Sequence, residues 1–174
     1  MRTLFAAAAA LVLAGPAFAD SVKLTGENTK ITFVGTKPGG KHEGGFKALT
    51  GTATVDGGQL TKVQVEIDVD SLWSDNEKLT AHLKSPDFFG VKTNPKASFT
   101  STKIEKTDSG TTISGDLTIN GKTKNVSFPA TVTTEGGTVK ITSALTIDKR
   151  DFGMTYGGGK IDDKVAIQVA VEAK

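Results

Sequence analysis

The chain has no cysteine, so it has no disulfide framework and no site for lipidation at a cysteine. Its stability must come from an apolar core and backbone hydrogen bonds. Histidine is nearly missing as well: only His42 and His82 occur, and neither has a partner at zinc-ligand spacing. No Gly-x-Ser-x-Gly elbow is present, and Gly157-Gly158-Gly159-Lys160 lacks the flanks of a phosphate loop and reads as a flexible turn. Charge of one sign is not in excess either. The formal net charge is +2, and +1 without Arg2; no basic run stands out, which argues against a nucleic-acid partner. Proline is sparse, glycine falls in turn-like pairs, and neither an internal repeat nor a linker divides the chain.

Only one long hydrophobic run exists, and it lies at the N-terminus. Met1-Arg2, the apolar residues 4–13 and Ala17-Phe18-Ala19 before Asp20 have the order of a secretory signal peptide. The run is shorter than the ~20 residues of a membrane-spanning helix. The expectation is cleavage near Ala19, a periplasmic or secreted product, and a single domain over residues 20–174.

What is abundant is alternation. In residues 60–69, Val63, Val65, Ile67 and Val69 share one face and Gln64, Glu66 and Asp68 the other. That is a strand with one dry side and one wet side. Similar runs cover residues 30–34, 46–55, 96–105, 112–119, 124–134, 139–147 and 165–172. Residues 37–45 read as a polar, glycine-rich loop with His42 solvated in it. Asp56-Gly57-Gly58, Asp108-Ser109-Gly110, Asn120-Gly121 and Glu135-Gly136-Gly137 mark turns, Asn120-Gly121 most strongly because both residues tolerate positive φ.

The period changes once, in residues 71–95. Ser74 and Glu77 have capping-box spacing, Leu79 and Leu83 lie one helical turn apart, and Ser85-Pro86 should end the helix. With Phe88 and Phe89 following, the segment reads as a cover for one end of a β-structure. Asp162-Asp163 reads as a turn, Asp68 with Asp70 as the wet side of a strand, and His82 as a helix-surface residue. Phe152-Gly153 reads as a bulge at a strand bend where Arg150 and Asp151 pair.

About eight strands joined by short connections predict an all-β, extended antiparallel up-and-down β-barrel, lipocalin-like, with a helical insertion at roughly 74–90. A barrel of this size is filled by its own side chains or holds one small ligand. The aliphatic inward set favours neither on periodicity alone. An exported hydrolase built on His82 with a nearby Ser or Asp is the weakest reading; no partner triad is legible, and no enzyme activity is expected.

Several motifs carry a family resemblance: residues 82–89 (HLKSPDFF), 97–104 (ASFTSTKI), 115–124 (GDLTINGKTK), 150–154 (RDFGM) and 163–167 (DKVAI). Their order and spacing resemble the YceI-like family over nearly the whole chain after the leader. Leu79 and Thr80 stand where that family usually has Arg-Asp, and Asn94 where it usually has Tyr. The resemblance implies a lipocalin-like tunnel that binds a polyisoprenoid, quinone-like or other long-chain amphiphilic lipid, with no cofactor besides that lipid and no metal. It leaves room for transient membrane contact and for a homodimer. The competing expectation is a filled barrel that binds a protein or glycan through its surface. The lumen is expected to be lined by Phe33, Phe46, Val65, Ile67, Phe99, Leu117, Phe128, Leu145 and Ile167. Trp73, Leu79, Leu83, Phe88 and Phe89 are expected to shape its covered end.

Overall fold

A computed structural model describes residues 19–174 apart from Ser109; the leader reading falls on residues 1–18, outside the described residues. Three two-residue turns with positive φ at both positions set the hairpins: Gly57 and Gly58 (55° and 77°), Asn120 and Gly121 (52° and 69°), and Gly136 and Gly137 (57° and 79°). Turns of this hand match the twist of the strands they join. Asn120 is the only non-glycine residue with positive φ among those described.

In chain order the elements are β1 (Asp20–Thr25), β2 (Thr29–Lys37), β3 (Gly40–Phe46), β4 (Leu49–Asp56), β5 (Gln59–Asp68), β6 (Leu72–Ser74), α1 (Glu77–Lys84), β7 (Lys96–Thr107), β8 (Gly110–Ile119), β9 (Lys122–Glu135), β10 (Thr138–Asp148) and β11 (Lys164–Ala173). Short 3-10 turns occupy Val69–Ser71 and Lys149–Phe152. All strand pairs are antiparallel, in one curled sheet of order β1-β4-β5-β7-β8-β9-β10-β11-β2-β3-β6.

The all-β antiparallel class expected from the alternation is therefore present, but with eleven strands instead of about eight. Two long runs are each broken at one place. β3 and β4 are separated by residues 47–48, and β5 and β6 by the first 3-10 turn. The two runs pair with each other twice, β4 with β5 and β3 with β6. Ser71 pins the break: its Oγ accepts the Lys47 and Ala48 N–H groups at 3.1 and 2.9 Å and donates to the Asp68 carbonyl at 2.6 Å. Merging the broken runs and setting β1 aside leaves eight long strands. Because β3 and β4 lie near opposite ends of the sheet order yet two residues apart in the chain, the sheet curls until its ends meet there.

Other expectations are corrected. Residues 37–45 are not a loop: they hold the β2–β3 hairpin, with Gly35 opposite His42 and Lys37 opposite Gly40. Polar residues and glycines obscured a strand whose pairing, not its own pattern, forms it. β1 was missed for the same reason; it pairs with β4 from Asp20↔Val55 to Thr25↔Thr50. The cap of α1 is Asn76, not Ser74: Asn76 Oδ1 accepts the Leu79 N–H at 3.0 Å, while Ser74 Oγ donates to the Asn76 carbonyl at 2.8 Å. The helix ends at Lys84 before Pro86, as expected. Phe152-Gly153 is no bulge; Phe152 closes the second 3-10 turn and Gly153, at φ 81°, terminates it in the left-handed conformation. Asp70 belongs to the first 3-10 turn, which Asp68 caps through its carboxylate.

Candidate functional site: an apolar lumen under a helical cover

Period-2 alternation sends one face of every strand into the tube. Phe33 of β2, Phe46 of β3, Val65 and Ile67 of β5 and Phe99 of β7 face a single cavity. Leu117 of β8, Phe128 of β9, Leu145 of β10 and Ile167 of β11 face it from the other strands, and its volume is about 310 Å³. Leu79, Leu83, Phe88 and Phe89 close over it from α1 and the segment behind it, joined by Met154 and Ile161. Thirteen of the fourteen residues chosen from the sequence thus surround one void.

Trp73 does not, and this expectation is corrected. β6 pairs Phe46 with Leu72 and Gly45 with Trp73. Since Phe46 points inward, Trp73 falls on the outer face, where its indole covers Gly45; a Cβ there would lie 3.0 Å from Nε1.

The void survives because the large rings lie along the wall. A Cβ on Gly44 would come within 2.5 Å of the Phe33 ring, and one on Gly115 within 2.6 Å of the Phe99 ring. Each glycine sits on a neighbouring strand and gives its phenylalanine a place to lie flat. Neither role was legible in the sequence, since ring and glycine are far apart along the chain. Phe33 also meets Phe46 at 6.0 Å, Phe46 meets Phe89 of the cover at 5.7 Å, and Phe99 meets Phe128 at 5.6 Å between ring centroids. Several of these side chains are only half-buried. All of them face the lumen, and among the described residues Tyr156, at 46%, is the one large apolar side chain that is exposed.

Apart from Lys37, the polar side chains around the lumen already have partners. At one rim, Thr36 Oγ1 donates to Asp162 Oδ2 at 2.5 Å, and His42 Nδ1 and Asp75 Oδ1 are 2.9 Å apart. The His42 contact and the Glu43 N–H hold the Asp75 carboxyl below the ordinary carboxylate value. Lys149, 4% exposed, reaches the lumen wall, but its ammonium is bound to Asp163. Asp163 also meets Arg150, which binds Asp148 through two nitrogens at 3.0 and 2.7 Å. That fork holds the Asp148 carboxyl far below its usual range and raises the guanidinium in turn. Arg150 therefore pairs with Asp148 and Asp163, where the sequence had paired it with Asp151.

His82 lies outside the lumen, on the cover. Its Nε2 is 3.0 Å from Asp87 Oδ2, and its ring packs edge-on against Phe88 and Tyr156 at 5.1 and 4.7 Å. Among the described residues no group of three or more His, Cys, Asp or Glu is placed to hold a metal ion. The chemistry on offer is the sequestration of apolar surface.

A tube of this topology, with a helical lid between β6 and β7, invites comparison with known proteins. The family model described as the YceI-like domain matches residues 23–173. The chain belongs to the YceI-like family. A UPF0312 protein of Pseudomonas putida (strain W619) is 32% identical over 190 residues, covering 99% of this chain and 97% of its own. Among solved structures, Burkholderia cenocepacia BcnA has a TM-score of 0.76 at 27% identity, over 84% of this chain and 96% of its own. The polyisoprenoid binding domain from Saccharophagus degradans, implicated in plant cell wall breakdown, has a TM-score of 0.69 over 90% of this chain and 99% of its own. At 13% identity that likeness speaks for the YceI-like fold alone.

Proposed function

We propose that this YceI-like protein is an exported carrier that holds the tail of a polyisoprenoid, quinone-like or similar long-chain amphiphile in its lumen. The observation that carries the reading is the apolar void itself, walled by buried and half-buried Phe, Val, Leu and Ile side chains from every long strand. An apolar space has no partner for water and leaves wall atoms without dispersion contacts, so an apolar guest is its natural occupant. Each methylene removed from water contributes on the order of 0.8 kcal/mol, partly offset by the ordering of a flexible tail. About 310 Å³ lies near the lower end of small-molecule sites, roughly 300–1,000 Å³, which suits a single tail.

Thr36, His42 and Asp162 are already engaged and Lys37 is the rim's exposed cation, so the polar end of the guest belongs at or beyond the rim these four residues form. The Saccharophagus neighbour's description as a polyisoprenoid binding domain makes isoprenoid tails the first chemistry to try. Residues 1–19 supply the export signal in this reading; an intact mass beginning at Asp20 would support it, and a retained leader would refute it.

The test is organic extraction and mass spectrometry of protein taken from its native compartment. A stoichiometric long-chain lipid is expected. Val65→Trp and Leu117→Trp, which place an indole across the lumen, should abolish loading while leaving the β-sheet circular dichroism intact. Loading undiminished in both variants would show that the guest lies elsewhere.

A further inference from the structure

One wall of the tube is unzipped. The ladder between β9 and β10 runs from Glu135↔Thr138 to Ala130↔Ser143 and stops. Beyond that point residues 122–129 of β9 pair only with β8, and residues 144–148 of β10 only with β11. Pro129 stands where the strands part. It has no N–H to give β10, and its carbonyl is taken by the Ser143 hydroxyl at 2.8 Å in place of a backbone donor. At the far end Lys122 lies against Gly153, where a Cβ would be 3.0 Å from Nζ, so the opening has a floor.

In a continuous sheet a side chain reaches one face or the other. Here Val126, Phe128, Leu145 and Ile167 line both the lumen and an outer groove, which is completed by outward residues including Ser127 and Thr146. A ladder that stops is not by itself an opening. β5 and β7 also part beyond Gln64↔Thr100, but there Ser101 Oγ accepts the Val63 N–H at 2.9 Å and Thr134 of β9 bonds the Gly58 carbonyl. Protein atoms fill that gap. Between β9 and β10 no protein hydrogen bond bridges the gap beyond Pro129 among the described residues, and its lumen-side edges are the apolar Val126, Phe128 and Leu145.

We propose that the β9–β10 seam is a lateral portal through which the apolar tail of the guest passes between lumen and surroundings. The proposal rests on the tail-binding reading of the lumen. A side door lets a chain enter sideways, edge-first from an apolar phase, without displacing the helical cover, and lets a tail longer than the cavity emerge through the wall.

The chain has no cysteine, so an introduced pair is unambiguous. Continuing the register sets Ser127 opposite Thr146 across the seam, while Thr131 and Thr142 are true partners in the zipped part. The pairs S127C/T146C and T131C/T142C are each bridged with a short bis-maleimide in the full protein, the second as control. Retinol, a fluorescent isoprenoid, is loaded before bridging, and its transfer to phosphatidylcholine vesicles is timed. Bridging the seam should slow release at least tenfold, and bridging the control pair should leave it at the unbridged rate. Equal release from bridged and unbridged seam overturns the portal while the tail-binding reading stands. If the unbridged protein takes up neither retinol nor a farnesyl chain, the tail-binding reading fails and the portal with it. As a second variant, Ala144→Arg at the seam should slow both loading and release; unchanged rates would also count against the portal.

Discussion

The wall of this molecule is held by continuous backbone ladders, the cover by isolated bonds. The wall is a succession of backbone ladders: β10 pairs with β11 over ten residues and β8 with β9 over nine. Its stability is spread over many equivalent contacts. The cover is a two-turn helix and the segments around residues 85–95 and 153–163; it meets the wall through single backbone bonds, such as Asp162 N–H to the Thr36 carbonyl and Val69 N–H to the Pro95 carbonyl, and through side chains. Lys84 reaches Asp70 at 3.1 Å, His82 pairs with Asp87, and His82, Phe88 and Tyr156 form a small aromatic cluster. Exposed ion pairs of this sort contribute little each. The wall should therefore unfold as a unit, whereas the cover should open locally at lower cost.

The largest effect is expected where wall meets cover. Phe152, 1% exposed, closes the turn that leads from β10 into the loop above the lumen. Phe152→Ala should cost about 3–5 kcal/mol in urea unfolding. A loss under 1 kcal/mol would mean that the junction is not part of the wall's cooperative unit. Next comes the cover's own cap. Asn76→Ala removes the acceptor of the Leu79 N–H and should cost about 1 kcal/mol, read as faster amide exchange in α1 ahead of the strands. Exchange rising equally in β8 and β9 would erase the distinction between wall and cover.

A third test uses pH. Asp148 caps the second 3-10 turn and binds Arg150, and its carboxyl is held below the ordinary 3.8. Its contribution is fully present above that value and is lost as pH falls toward the lower folded-state value. Asp148→Asn should therefore be less stable than the parent at pH 7, with the difference narrowing below about pH 4. A constant difference across the acid range would rule out this carboxylate as the titrating group. The smallest effect is expected at the exposed Tyr156, whose ring packs on His82 and Phe88 of the cover. Tyr156→Ala should change global stability by less than about 0.5 kcal/mol while raising exchange in α1.

Much of the wall was legible because its signals are local. Alternation in residues 60–69 and 112–119 names the inward side chains without reference to any partner, and Asn120-Gly121 names its own turn. The errors fall where a neighbour decides. His42 lies in a strand because Gly35 stands opposite; Trp73 points outward because Leu72, next to it in β6, pairs with the inward Phe46. Asn76 displaced Ser74 as cap because Ser74 is engaged by Thr80, whose hydroxyl is 2.8 Å away.

The sequence alone determined that this chain is an antiparallel β-structure with one greasy face, one polar face and a helical interruption, since side-chain period and turn chemistry are properties of adjacent residues. Only the tertiary structure decided that the greasy face encloses a void, that Gly44 and Gly115 let aromatic rings lie along its wall, and that β9 and β10 part beyond Pro129. Those outcomes depend on which strands become neighbours and where their ladders end. Such pairings join residues far apart in the chain, and no short pattern records them.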